Sequence, residues 1–335
     1  MKIVVFGDSK RVGVLHAGRV VDANWAFERF LRERGGEPHP AAMAAAIVPP
    51  GLEPFIEGGE RTLEGVRNAL EHLEPRLAEL EEIVYTVGTV RLHAPRTDRA
   101  RIACAGGNFG DHAAAMAARG RDAAGQSFAG DFTREIRSRG IWGFWKIDRE
   151  SCGPEDEVIY PSSATRLDYE GEVAVVIGKR GKDIAADRFD SHIWGVTLFV
   201  DWSARDVREA NAPHKFAKSK NFDTCASLGP CIVVGELDPG DIWIETAVNG
   251  EQRQHFSTRD MAFSFAEFGE YLSRDLTLYP GDMIASGTGA GTAMDSSPVL
   301  ASGVVAPERF LKPGDVVEVK SEAIGVLRNR IIAKG

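Results

Sequence analysis

The chain has 335 residues, 43% of them hydrophobic and 27% charged, an ordinary globular composition with room for one large domain and a smaller one. Its 49 acidic residues outnumber 40 basic ones, and a net charge of −9 with no basic run to override it argues against nucleic acid and anionic lipid as partners. The four cysteines (Cys104, Cys152, Cys225 and Cys231) have no C-x-x-C spacing, and no apolar stretch approaches the ~18 residues of a membrane helix, so a cytoplasmic protein with small buried thiols is expected.

In chain order, residues 2–6 read as a strand, followed by a hairpin whose Val-rich arms Arg11–Leu15 and Arg19–Ala23 flank a turn containing Gly18. Trp25–Arg34 reads as a helix and Glu37–Gly59 as a connector rich in Pro, Gly and Ala. In Thr62–Leu80 the residues Leu63, Val66, Leu70, Leu73, Leu77 and Leu80 recur at helical spacing, with Pro75 placed to kink or divide the helix. Residues 1–95 are therefore expected to form a small N-terminal α+β domain, ending at a linker around Pro95, and residues 96–335 a catalytic one. The remainder is strand-rich. Strands are predicted at Ile102–Ala105, Val158–Tyr160, Tyr169–Gly178, Ile193–Trp202, Cys231–Val234, Ile242–Val248, Asp282–Ser286, Asp315–Lys320 and Gly325–Ile331. Asn249-Gly250 is a hairpin signal, Asp111–Arg119 a short helix, and Ser264 with Glu267 a capping box that opens a second helix.

Chemistry concentrates where apolar strands begin or end in carboxylates. Glu170 and Glu172 stand at i and i+2 before the buried run Val173–Ile177, so in an extended chain they point to one face about 7 Å apart. Two such carboxylates repel each other, and either a cation or a solvated strand end resolves the conflict. Asp201 ends another apolar strand, where it could also cap a helix; Asp206 reads as a partner for an arginine. Three carboxylates on β elements suit a hard divalent cation such as Mg²⁺, and the lack of a His or Cys pair at zinc-like spacing disfavours zinc.

The segments Leu167–Glu172, Asp201–Asp206, Lys220–Thr224, Leu228–Pro230, Val248–Glu251, Leu278–Thr288, Leu311–Val319 and Leu327–Arg330 occur in an order that resembles the successive motifs of the fumarylacetoacetate hydrolase family, across residues 98–333. The resemblance implies a mixed, strand-rich β-roll, usually dimeric, with a smaller N-terminal domain. It implies Glu170, Glu172 and Asp201 as ligands of Mg²⁺ or Mn²⁺, and Lys220 as a pocket cation that supports developing negative charge. It implies His112, on a short helix after Asn108-Phe109-Gly110-Asp111, as the catalytic base. Arg205, Arg208, Gly287 and Thr288 are expected to hold a small anionic keto acid, and Trp142, Trp145 and Lys146 lie on a segment that often lines the pocket.

One position departs from the family pattern. Many members carry a glutamate one helical turn after the histidine; here that position is Ala115, and Glu135 is the substitute carboxylate the sequence suggests. Arg208 also stands where many members have glutamine. The leading expectation is hydrolysis of a C–C bond in an acylpyruvate- or fumarylpyruvate-like β-diketo acid from aromatic catabolism, with a divalent metal as Lewis acid and His112 activating water. The alternative is a decarboxylase, lyase or keto–enol tautomerase acting on a small 2-oxo acid such as oxaloacetate, which needs no activated water.

Overall fold

The computed structural model describes residues 1–119, 132–147, 149–207, 217–235, 237–303 and 305–335. Its frame is an eleven-stranded mixed sheet, a five-stranded sheet and a two-stranded ribbon, with helices on the large sheet. The chain is α+β and strand-rich, as its alternating patterns predict.

The strand Gly171–Ile177 organises the large sheet. It pairs antiparallel with Ile193–Asp201 on one side and with Met283–Ala285 on the other. Beyond these lie Ala226–Val233, next to Ile193–Asp201, and Ile102–Ala105, parallel to Met283–Ala285; Gly143–Lys146 forms the edge. A strand covered on both faces reads as a continuous apolar run, and each side of this one has its own core. Val173, Val175 and Ile177 pack with Val317, Val319 and Leu327 of the five-stranded sheet. Ala174 and Val176 face the other way, into a core with Phe27, Phe55, Val66 and Leu73 of the N-terminal helices.

The first strand, Lys2–Phe6, joins this same sheet: Lys2 pairs with Val233 and Ile3 with Ile232. The hairpin Arg11–His16 and Arg19–Asp22 extends it outward. Helix Ala23–Arg34 starts where the Asp22 carboxylate accepts the Trp25 N–H at 2.9 Å, an N-cap bond. The predicted helix Thr62–Leu80 is divided at Pro75, as expected. An α-helix spans Gly59–Leu73 and a 3₁₀ turn spans Glu74–Glu79, because Pro75 has no N–H to continue the ladder. Asn249 and Gly250 adopt φ of 52° and 81°, as the tight turn between Trp243–Val248 and Glu251–Ser257 requires. Helix Phe132–Arg139 and strand Gly143–Lys146 have no counterpart in the predicted elements.

Register places the carboxylates. Glu172 lies two residues before Ala174 and so shares its face of the sheet. At that end of the strands the space is roofed by helices Gly110–Arg119 and Phe132–Arg139, and the cavity beneath them is lined by residues from Ala105 onward.

Candidate active site

Backbone geometry brings three strand-end carboxylates to one point. Asp201 donates its N–H to the carbonyl of Glu170 at 2.9 Å, which holds the end of one strand beside the start of its neighbour. One ligand atom from each of Glu170, Glu172 and Asp201 lies within 4.8 Å of the others, and all three residues are buried. Buried carboxylates repel and lose hydration, so each needs a partner. Glu172 accepts the N–H of Gly287 at 3.0 Å. Gly287 reaches it with φ +77°, a conformation that side chains other than glycine rarely adopt. Lys220 Nζ donates to Glu170 Oε2 at 2.5 Å, to Asp201 Oδ2 at 2.6 Å and to Ser203 Oγ at 2.6 Å.

Two further cations complete the neutralisation. Arg205 donates to Glu170 Oε1 at 2.5 Å and, through Nε, to Asp168 Oδ2 at 2.8 Å. Lys146, whose side chain is fully buried, places Nζ 2.5 Å from Asp201 Oδ1, an ionic contact without hydrogen-bond geometry, and donates to the carbonyl of Cys225 at 2.7 Å. Four carboxylates (Asp168, Glu170, Glu172 and Asp201) thus face three cations (Lys146, Arg205 and Lys220). With every carboxylate ionised the cluster carries one net negative charge, and a divalent ion would reverse that sign in favour of an anionic ligand.

The pKa directions follow this layout. Burial pushes the Glu170 carboxyl up, but Arg205 and Lys220 outweigh it and hold the group well below the usual range. Burial pushes Glu172 well above its ordinary value, and the charges of Asp201 and Glu170 add to that. Burial opposes the Lys220 ammonium, yet Asp201 and Glu170 raise its pKa on balance. The all-oxygen donor set, in which burial and the charges of Asp201 and Glu170 oppose ionisation of Glu172 until a cation compensates it, fits a hard divalent ion.

His112 closes the cavity from above, only 8% exposed. Its Nδ1 lies 2.8 Å from Asp295 Oδ2. Asp295 sits in the short helix Ala293–Ser296, where Thr292 forms a reciprocal capping box with it, and its Oδ2 also accepts the N–H of Gly291 at 3.1 Å. That helix start is tied to the floor of the site, because Asp168 accepts the N–H groups of Ala293 at 2.7 Å and Met294 at 3.0 Å. Asp168 and Asp295 were not among the expected residues. The pattern Thr292-x-x-Asp295 marks a helix start in the sequence, but nothing local ties it to His112.

The structure brings Glu170, Glu172, Asp201, His112, Lys220, Arg205, Gly287 and Thr288 around one cavity of about 380 Å³. The Thr288 hydroxyl is already engaged, donating to the carbonyl of Gly171 at 2.8 Å and accepting from Gln254 at 2.8 Å. Arg208 lies outside the described residues. Of the segment Trp142–Lys146, Trp142 borders the cavity, Lys146 lies behind Asp201, and Trp145 lines a different surface hollow beside Arg101. One expectation is corrected. Glu135 does not serve His112; it pairs with Arg139 one turn along its own helix. Among the described residues Asp206 has no arginine side chain as partner; it accepts the N–H and hydroxyl of Thr165, which keep its pKa low despite partial burial.

Residues 101–332 match the model of the fumarylacetoacetate hydrolase C-terminal domain. Over 287 residues the chain is 33% identical to the mitochondrial oxaloacetate tautomerase FAHD2A of Bos taurus, covering 85% of this chain and 81% of that one. It is likewise 33% identical to the oxaloacetate tautomerase YisK of Bacillus subtilis, covering 85% and 87%. Among solved structures it resembles a fumarylacetoacetate hydrolase from Exiguobacterium antarcticum, with a TM-score of 0.66, 27% identity and the full length of both chains covered.

Proposed function

The chain belongs to the fumarylacetoacetate hydrolase family, and from that premise we propose that it is a divalent-metal-dependent keto–enol tautomerase of a small 2-oxo acid such as oxaloacetate. The relatives named above support this alternative over the expected C–C hydrolysis. The observation that carries the reading is a histidine, oriented by a carboxylate, facing the same cavity as a lysine and a carboxylate triad. Enolisation asks for one base and one stabilised oxyanion, and for no seat for an attacking water.

Glu170, Glu172 and Asp201 would hold Mg²⁺ or Mn²⁺, which when bound supplies Lewis-acid polarisation of the 2-oxo group. The protein's own residues do the rest. A carboxylate only accepts hydrogen bonds, so Asp295 keeps the proton of His112 on Nδ1 and leaves Nε2 bare. Nε2 then takes a proton from C3 of the keto form, and the enol proton is delivered to the substrate oxygen; the reverse reaction retraces this route. Lys220, held on Glu170 and Asp201, sets a fixed positive charge beside the developing enolate. Arg205 is tied to Asp168 and Glu170 and orders the floor. Family resemblance also supports a homodimer as the working form.

The second reading, hydrolysis of an acylpyruvate-like acid, draws on the same His112–Asp295 pair, which supplies the carboxylate that Ala115 lacks. One assay separates them: Mg²⁺-loaded protein with oxaloacetate, acetylpyruvate and fumarylpyruvate in parallel. Faster enol–keto exchange of oxaloacetate, without release of CO₂, is the expected result. Carboxylic acid release from the acylpyruvates alone would move the assignment to hydrolysis, and CO₂ release from oxaloacetate would move it to decarboxylation.

A further inference from the structure

The cavity has two chemically different halves. One is the charged floor already described. The other is an apolar wall formed by Ala113, Met116, Ala117, Ile136, Trp142 and Phe144. Positions 113, 116 and 117 lie at i, i+3 and i+4 of helix Gly110–Arg119, so the turn that presents His112 also presents this wall. Trp142 is its largest member and is 57% exposed.

The indole of Trp142 is seated rather than loose. A Cβ added at Gly106 would lie 2.5 Å from three atoms of the six-membered ring, so the ring lies face-on against that glycine. The Gly106 N–H donates to the Trp142 carbonyl at 3.0 Å, which ties the two backbones together. The strand that follows, Gly143–Lys146, is paired to Ile102–Ala105. A large aromatic surface is thus held at the cavity's edge by backbone pairing and by its seat on Gly106.

The wall itself is built of apolar side chains among the described residues. Its charged neighbours are already paired: Arg139 with Glu135, and Lys220, whose Nζ lies 5.2 Å from the Phe144 ring centroid, with Glu170 and Asp201. Oxaloacetate, with a short charged tail, would leave this surface facing water, whereas a flat apolar tail would cover it.

We propose that the preferred substrate is a 2-oxo acid bearing an uncharged planar group at C3, of the arylpyruvate type, and that Trp142 is the residue that selects it. The inference rests on the tautomerase reading. The chemistry balances without a co-reactant: one C3–H bond breaks, one O–H bond forms, and His112 carries the proton. The enol of such an acid is conjugated with its ring and flat, so an aromatic surface favours it over the bent keto form.

The test uses Mg²⁺-loaded full-length protein with phenylpyruvate and oxaloacetate, each followed by enol absorbance. Wild-type kcat/KM is expected to favour phenylpyruvate. Trp142→Ala should lower the phenylpyruvate-to-oxaloacetate ratio about tenfold, mainly through KM, and Trp142→Phe should restore most of it. Gly106→Ala keeps the indole but removes its seat, and should shift the ratio the same way. Thermal melting of each variant separates a lost contact from a lost fold. A preference for oxaloacetate in the wild type, or an equal fall for both acids in Trp142→Ala, overturns this inference and leaves the tautomerase reading standing. Exchange of neither acid by the wild type overturns both.

Discussion

Asp295 Oδ2 stands 2.8 Å from Nδ1 of His112, across 183 positions of sequence. The pair turns a lone helix histidine into an oriented base, because the carboxylate fixes both ring direction and tautomer. Asp295→Asn replaces an acceptor with a group that can donate, and so favours the wrong tautomer. We expect kcat for the proton-transfer reaction to fall about 10²-fold with KM little changed, as loss of a positioned base implies. Glu135→Gln, altering a residue paired to Arg139, should stay within about twofold, since surface pairs of this kind contribute little. Steady-state kinetics of the two variants decides between the carboxylates.

Glu172 is the member of the triad that burial, Asp201 and Glu170 push toward its protonated form. The folded metal-free protein therefore keeps a proton that the unfolded chain has lost above its ordinary carboxylate pKa. That stabilising contribution is complete below the unfolded value of about 4.5 and disappears as pH rises through the higher folded value. Metal loading must expel the proton, so metal affinity should rise with pH across the same window, by up to about tenfold per unit. Calorimetric titration with Mg²⁺ in buffers of different ionisation enthalpy would show the proton release; an affinity independent of pH would count against it. Glu172→Gln should raise the melting temperature of the metal-free protein by about 2–4 °C and abolish the metal response.

Lys220 lies between Glu170 and Asp201, where it neutralises the triad without a metal. Lys220→Met leaves those carboxylates short of a charge. Breaking a buried pair costs about 3–5 kcal/mol, so the metal-free melting temperature should drop by roughly 5–15 °C. Saturating Mg²⁺ should recover more of that loss in the variant than it adds to the wild type. An identical drop with and without metal would place the lysine outside the cation's field.

Chelation is the plainest check on the donor set. Dialysis against EDTA should remove activity, Mg²⁺ or Mn²⁺ should restore it, and metal at 100 times its Kd should add about 2.7 kcal/mol of stability. Full turnover after exhaustive chelation would remove the cation from the chemistry.

How much of this was legible in the sequence depended on range. Glu170 and Glu172 could be read because a period of two is a local rule, and the neighbouring strand's end at Asp201 is equally local. Asp295 could not be: its partner lies on another helix, and only the folded sheet brings the two together. Helix Phe132–Arg139 was missed because all but two of its residues are polar, which leaves almost no periodic signal. Strand Ala226–Val233 was seen only from Cys231, since Gly229-Pro230 reads as a turn. The structure carries the strand through them, with its ladder to Ile193–Asp201 irregular at that point. Glu135 is the carboxylate that the sequence offers His112, but a salt bridge to Arg139 within its own helix claims it.

The pairing of Lys2–Phe6 with Ala226–Val233 bears on how the protein is made. The start of strand Lys2–Phe6 hydrogen-bonds with one that emerges more than two hundred residues later, so that part of its edge waits for it. The outer hairpin can form at once, but the seam at Ile3 and Ile232 closes late, after a large loss of chain entropy. During that interval Lys2 and Ile3, the second of them buried in the finished molecule, belong to an open β edge, the kind of surface that chaperones hold apart and that other nascent chains can join.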